Sequence, residues 1–484
     1  MIKSAYLARP GNEPLSTTLA IQLLVVVAFF VFIGIWRTPA LAFAGIGILV
    51  FLVTAGWRVE TFPILFLLYI SVSTGAYLDQ ALKFFNIIYY PHLAPVLIAG
   101  MFVVIIINKS MNFIKLGDIN NSNNKSTGRD VVGILLILFL IWMVFESIRG
   151  NAIGNNPRWI RFEIFYTFPL VGYFVWREVF KIKSNINNWF IIFIIIELIT
   201  SVQYFTLITI NWEDILSFVL LRIVTRQGHL ILVAIPIVMA FIFSSRTTRI
   251  RLLWILCLLI ILAHMLSTQQ RVLFIAAGFE FVLMLTFFAF KDGWTKKGFI
   301  IWLSGMTLFS LSIISAVLYV LSVFNIDIEM LLSRWDRFGT LKDASTMMRI
   351  FDIREALEQY STSPLLGCGI GKTVLSIPSG FHFFYIDNSY IVALLKGGPV
   401  YLLLLVAIYL SGAWFAFIVY LKSTDIRTKM TGAGIVVALV GIMFTGATNV
   451  CLIYYRYTFL WMMIIAAAVS LYESLKNDTG TIDG

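Results

Sequence analysis

An all-α, polytopic membrane bundle of about fourteen spanning helices is the fold this sequence predicts, from three observations. Hydrophobic residues make up 60% of the 484 and charged residues only 13%, with a mean hydropathy of +0.91, a balance foreign to soluble globular domains. Runs long enough to cross ~30 Å of hydrocarbon, ~20 residues each, recur from end to end. Lysine gathers on alternate connections between them.

The first run, 19 to 36, follows Lys3 and Arg9 and lacks a convincing small-residue cleavage site, so it reads as an uncleaved span. Runs at 40 to 56, 61 to 76 and 93 to 108 come next, and the Asn/Ser/Lys stretch near 118 to 128 is a solvated connection. The pattern resumes at 131 to 147, 164 to 176, 188 to 210, 229 to 245, 252 to 267, 272 to 290 and 299 to 322. A hydrophilic segment interrupts it at about 323 to 387, and runs at 388 to 421, 430 to 448 and 456 to 472 close it. The chain thus divides into a bundle at 1–322, a large loop at 323–387 and C-terminal helices at 388–484. No internal repeat is visible.

Threading the runs alternately places "NKSMNFIKLGDINNSNNKSTGRD", "REVFKIK", "SSRTTRIR", "KDGWTKKG", "KSTDIRTK" and both termini on one side, which the positive-inside rule makes cytoplasmic. The net charge of +11 is then mostly an orientation signal and does not imply nucleic acid. Lysine obeys the rule, with Lys83, Lys342 and Lys372 on the outer side. Arginine does not: Arg37, Arg149, Arg158, Arg161, Arg222, Arg226, Arg271, Arg334, Arg337, Arg349, Arg354 and Arg456 fall outside or at that membrane edge. Guanidinium stays charged and grips phosphate oxygens bidentately, so an outer arginine excess suits a diphosphate held at a membrane surface. Pairing with outer acids such as Glu146, Glu163, Asp336 and Asp352 is the plainer use for part of the set.

Within the loop, Met347, Ile350, Phe351, Leu357 and Tyr360 recur at helical spacing opposite Arg349, Asp352, Glu355 and Glu358. That pattern predicts an amphipathic helix against the membrane face, capped by Ser345 or Thr346 and ended by Pro364 and the glycines at 367, 369 and 371. "GIGKT" lacks the first glycine of a phosphate loop, because position 366 is Leu366. The three cysteines, Cys257, Cys368 and Cys451, have no metal spacing and read as free thiols, with a bridge between the two outer ones, Cys368 and Cys451, as the alternative, and the scattered histidines and the acids Asp327 and Glu329 give no metal site. Glu197 and Glu280 fall inside spans, where Glu280 reads as a buried structural carboxyl. In "FHFFYIDNSYIVALLKGGP", Asp387 is either the N-cap of the next span, with Asn388 as the second cap candidate, or a proton acceptor.

Three pieces, in order, resemble the polytopic O-antigen ligase and O-antigen polymerase superfamily: "LSTQQRVLFIAAG", "MMRIFDIREALEQYSTSPLLGCGIGKT" and "DNSYIVALLKGGPVYLLLL". They lie within residues 266 to 405, and the rest of the chain is similar in topology alone. The resemblance implies a GT-C-like helical fold in a bacterial inner membrane and metal-independent glycan transfer from a polyprenyl diphosphate carrier on the outer face. No cofactor is implied. Arg271 and Arg349 match the family's functional arginines, with Arg354, Arg334, Arg337, Arg222, Arg226, Asn388 and Tyr390 as further substrate-binding candidates. The position where ligases usually carry histidine is Asp387 here, which favours a polymerase acting on another lipid-linked repeat over a ligase acting on lipid A-core; His382 is the fallback. A flippase and a chain-length regulator are the expected partners of a polymerase. A lipid-linked-sugar transporter and a non-catalytic scaffold are the rival classes.

Overall fold

The protein, described from a computed structural model, is defined over residues 130–181, 183–210, 229–268, 270–293, 295–307, 344–376, 381–383, 385–453 and 455–480. The chain separates into two compact units, Met1–Ile114 and Lys115–Gly484, and every described residue belongs to the second. The spans expected before residue 130 lie outside the described residues.

Eleven α-helices with defined bounds follow in order: α1 (Val131–Ala152), α2 (Pro157–Thr167), α3 (Gly172–Val179), α4 (Lys183–Ile210), α5 (Ile231–Ser244), α6 (Thr248–Thr268), α7 (Arg271–Ala289), α8 (Ala344–Ser361), α9 (Ser389–Lys422), α10 (Ile426–Gly446) and α11 (Tyr455–Gly480), and residues 296–307 are helical as well. Six contain stretches long and apolar enough to cross a membrane, in α1, α6, α7, α9, α10 and α11. Local chemistry starts several of them. Asp130 caps α1 by accepting from Gly133 N–H at 2.9 Å, Asn156 caps α2 with Pro157 behind it, and Asp425 accepts from Thr428 N–H at 2.9 Å to begin α10.

Two expectations change. The run at 164 to 176 is not one regular helix: α2 passes into a 3-10 turn, Phe168–Val171, and then α3, at the point where Pro169 removes a backbone donor. The chain is also not purely helical, because Val374–Ser376 (β1) pairs antiparallel with Phe381–Phe383 (β2), setting Leu375 opposite His382.

The core is mostly apolar helix surface. Residues 231–241 of α5 are buried without exception, and Trp176, Phe459 and Trp461 pack among α3 and α11. The cross-links between these helices gather at two ends. At one end Arg177 of α3 bonds Glu473 of α11 at 2.7 Å, Tyr173 donates to Asp130 at 2.6 Å and Lys429 donates to the Lys291 carbonyl at 2.7 Å. At the other, the end of α1, the segment before α2, the loop after α8, the start of α9 and the α10–α11 turn meet. The candidate site lies at this second end.

Candidate functional site

The long loop reaches the bundle through α8, whose inward stripe is Ile353, Ala356 and Tyr360. These pack on Cys368, Val374, Ile386, Val392, Leu395 and Val450, joining loop, α9 and α10–α11 turn in one apolar cluster. The expected amphipathic helix is therefore present: Ile350, Phe351 and Leu357 of its apolar stripe stay at the surface, Tyr360 of that stripe joins the cluster, and small Ala356, fully buried, allows the close approach to the bundle. Ser345 and Thr346, expected as caps, already lie inside α8.

After α8 the glycine-rich turn inserts between α1, α2 and α9. Gly367, Gly369 and Gly371 all have positive φ, and a Cβ on Gly369 would come within 2.8 Å of the Gly150 backbone. Arg149 donates to the carbonyls of Leu366 and Gly367 at 2.9 and 2.8 Å while pairing with Glu146. Asn155 donates to the carbonyls of Cys368 and Ile370 at 2.9 and 3.1 Å, and Cys368 N–H donates to the Leu395 carbonyl at 2.6 Å. The glycines of "GIGKT" thus serve a backbone junction.

α9 is broken to receive this turn. Gly397 and Gly398 leave helical geometry, Gly398 at φ 65°, ψ −165°, and helix resumes behind Pro399, whose missing N–H costs nothing at a helix start. Trp142 of α1 donates to the Gly397 carbonyl at 2.9 Å. Lys396, just before the break, is buried and bonds both the Glu163 carboxylate and the Lys372 carbonyl. Sequence reasoning missed Lys396, although a single lysine inside an apolar run is itself a signal that a partner waits there.

At the head of α9 the cap question has an answer. Asn388 is the N-cap: its Oδ1 accepts from the N–H groups of Tyr390 and Ile391, both at 3.0 Å, and its Nδ2 donates to the Ala447 carbonyl at 2.8 Å. An aspartate could accept those bonds but not make the donation. Ser389 Oγ donates to the Asn449 carbonyl at 2.8 Å and Tyr390 donates its hydroxyl proton to the Met443 carbonyl at 2.6 Å. Asn388, Ser389 and Tyr390 therefore bind the start of α9 to α10 and the α10–α11 turn.

Asp387, released from capping, faces α8. Its Oδ2 lies 3.2 Å from Arg349 Nε, and the two side chains are 45% and 46% exposed. The fold thus brings together two of the sequence-derived site residues from positions 38 apart. Arg354, one turn on, pairs with exposed Glu358 at 2.7 Å, and that hydrogen bond raises the pKa of an already basic guanidinium. Arg271 opens α7 and His382 sits in β2, with nothing described for either side chain. Arg222, Arg226, Arg334 and Arg337 lie outside the described residues.

Of the expected carboxylate pairings, Glu146 takes Arg149, whereas Glu163 takes Lys396 in place of an arginine. The three cysteines are free and buried. Glu197 is buried against His264 at 3.0 Å, and Glu280 is buried against Gly441 with no hydrogen-bond partner on either oxygen among the described residues. No protein-family model matches this chain, and a search of curated proteins also gives no match.

Proposed function

We propose that this protein is a polysaccharide polymerase of the inner membrane, moving glycan from a polyprenyl diphosphate carrier onto a sugar hydroxyl of another lipid-linked repeat. The observation that supports the reading best is the half-exposed Arg349–Asp387 pair, with Asn388 and not Asp387 capping α9. In this reading the end of the bundle carrying the pair is the outer face, and α8 lies on the membrane surface with Ile350, Phe351 and Leu357 toward lipid. The acceptor hydroxyl oxygen attacks the anomeric carbon, the bond from that carbon to the diphosphate breaks, and the carrier diphosphate leaves with the electron pair. Asp387 accepts the hydroxyl proton, and Arg349 with Arg271 stabilises charge on the leaving diphosphate. A diphosphate, offering two bidentate edges, competes well for an arginine whose resting partner is a single solvent-screened carboxylate.

Ligation to lipid A-core uses the same donor, and Asp387 at the histidine position weighs against it. A second reading, transport of the lipid-linked sugar, draws on the break in α9 beside buried Lys396, since broken helices line transporter sites.

Purified protein given a polyprenyl-diphosphate-linked oligosaccharide separates the two. Polymerisation lengthens the glycan and releases carrier diphosphate; Arg349→Ala should lower the rate by about two orders of magnitude, with partial return in Arg349→Lys. Lipid movement across vesicles without any glycan lengthening would leave the transport reading standing in its place.

A further inference from the structure

Three consecutive residues of α9 hold three different parts of the molecule. The Leu395 carbonyl accepts from Cys368 in the glycine-rich turn, Lys396 bonds Glu163 of α2 and the Lys372 carbonyl, and the Gly397 carbonyl accepts from Trp142 of α1. A buried ion pair returns little more than its own desolvation cost, so apolar residues of similar volume would serve stability as well. What apolar residues cannot do is donate to the Lys372 carbonyl, which ends the glycine-rich turn. That turn continues directly from α8, whose last residues are tied to it by Tyr360 donating to the Pro364 carbonyl at 2.6 Å and by Cys368 Sγ contacting the Gln359 carbonyl at 3.2 Å. α8 in turn carries Arg349.

We propose that Lys396, held in place by Glu163, is a positioning residue: it latches the glycine-rich turn into the α9 break and thereby holds Arg349 of α8 beside Asp387. The lysine touches neither member of the exposed pair and acts through the turn. Its role at the transfer site rests on the function proposed above, while the latch itself does not.

Cys368 reports on the latch, because it is buried in the turn and is one of three cysteines in the chain. With Cys257→Ala and Cys451→Ala in the full-length protein, a membrane-impermeant maleimide should label Cys368 slowly. In Lys396→Met, and in the double variant Lys396→Met with Glu163→Met, labelling should quicken on the order of tenfold as the turn opens. Glycan lengthening should fall in both, even though the double variant recovers the parent's thermal midpoint. The double variant carries the test if the single one does not accumulate. Parent-like Cys368 protection in the double variant would reduce the pair to packing and overturn the proposal, as would fast labelling with undiminished glycan lengthening. If Arg349→Ala and Asp387→Asn leave glycan assembly intact, the transfer reading fails while the labelling result still decides the latch.

Discussion

The junction where the glycine-rich turn enters α9 and the edge where Arg349 meets Asp387 are built in opposite ways. At the junction almost every contact runs to a backbone carbonyl or N–H, most of the partners are buried or half-buried, and the turn is held from α1, the segment before α2, and α9 at once. At the edge two side chains share one hydrogen bond at 3.2 Å and stand half in solvent. Multiple buried ties to main chain fix a geometry, whereas a single exposed ion pair contributes ~0–1 kcal/mol and yields to a competing ligand. The junction therefore behaves as scaffold, and the edge is where a substrate can exchange partners.

The sharpest way to break the contrast is at Gly398. Its φ of 65° with ψ near −165° is a region reserved for glycine, and an added Cβ would collide with the Leu365 carbonyl. Gly398→Ala should cost ~3 kcal/mol or more from strain plus collision, and protein in the membrane should drop severely. Near-normal accumulation and thermal midpoint would mean that the break is not a fixed element.

Arg149→Ala comes next. It strips two carbonyls of their donor and leaves buried Glu146 without its cation, which should cost ~3 kcal/mol in the thermal midpoint of detergent-solubilised protein. Arg149→Ala with Glu146→Ala should recover part of that loss, because the uncompensated carboxylate is removed. No recovery would assign the whole effect to the two carbonyls of the turn.

These residues mark how far the sequence alone could be read. Hydropathy located the six helices of membrane-crossing length among the described residues because hydrocarbon imposes length and composition on each helix separately, and spacing located α8 for the same local reason. The stripe of α8 that docks on the bundle was not visible in the sequence because Ala356 adds little to a hydrophobic pattern, though its small size lets the helix approach. Nothing local links Arg149 to Leu366, 217 positions away, or Lys396 to Glu163, 233 away, so the junction was invisible. The Arg349–Asp387 meeting was expected only through resemblance to a family. The cap at α9 stayed open because Asp and Asn cap equally well; the donation to Ala447, a tertiary contact, selects Asn388.

The head of α9 gives the smallest effects and the cleanest separation. Asn388→Ala removes an acceptor for two N–H groups and a donor to Ala447, so it should lower stability by ~1–2 kcal/mol. Asn388→Asp should recover the cap but not the donation, and fall between.

Asp387→Asn, one residue earlier, should behave differently on both axes. Its backbone role is nil, its ion pair is exposed, and the thermal midpoint should stay within the equivalent of ~0.5 kcal/mol of the parent. The amide preserves the shape of the side chain but accepts no proton, so glycan lengthening should fall by ~10²-fold or more while the protein remains folded. Arg349 loses its resting partner in this variant, and donor binding should therefore hold or tighten as turnover falls. That split between unchanged binding and lost turnover is what a proton acceptor produces and a structural aspartate does not. A variant that lengthens glycan at the parent rate would remove Asp387 from the chemistry, and His382→Ala would then show whether the proton goes to the neighbouring strand.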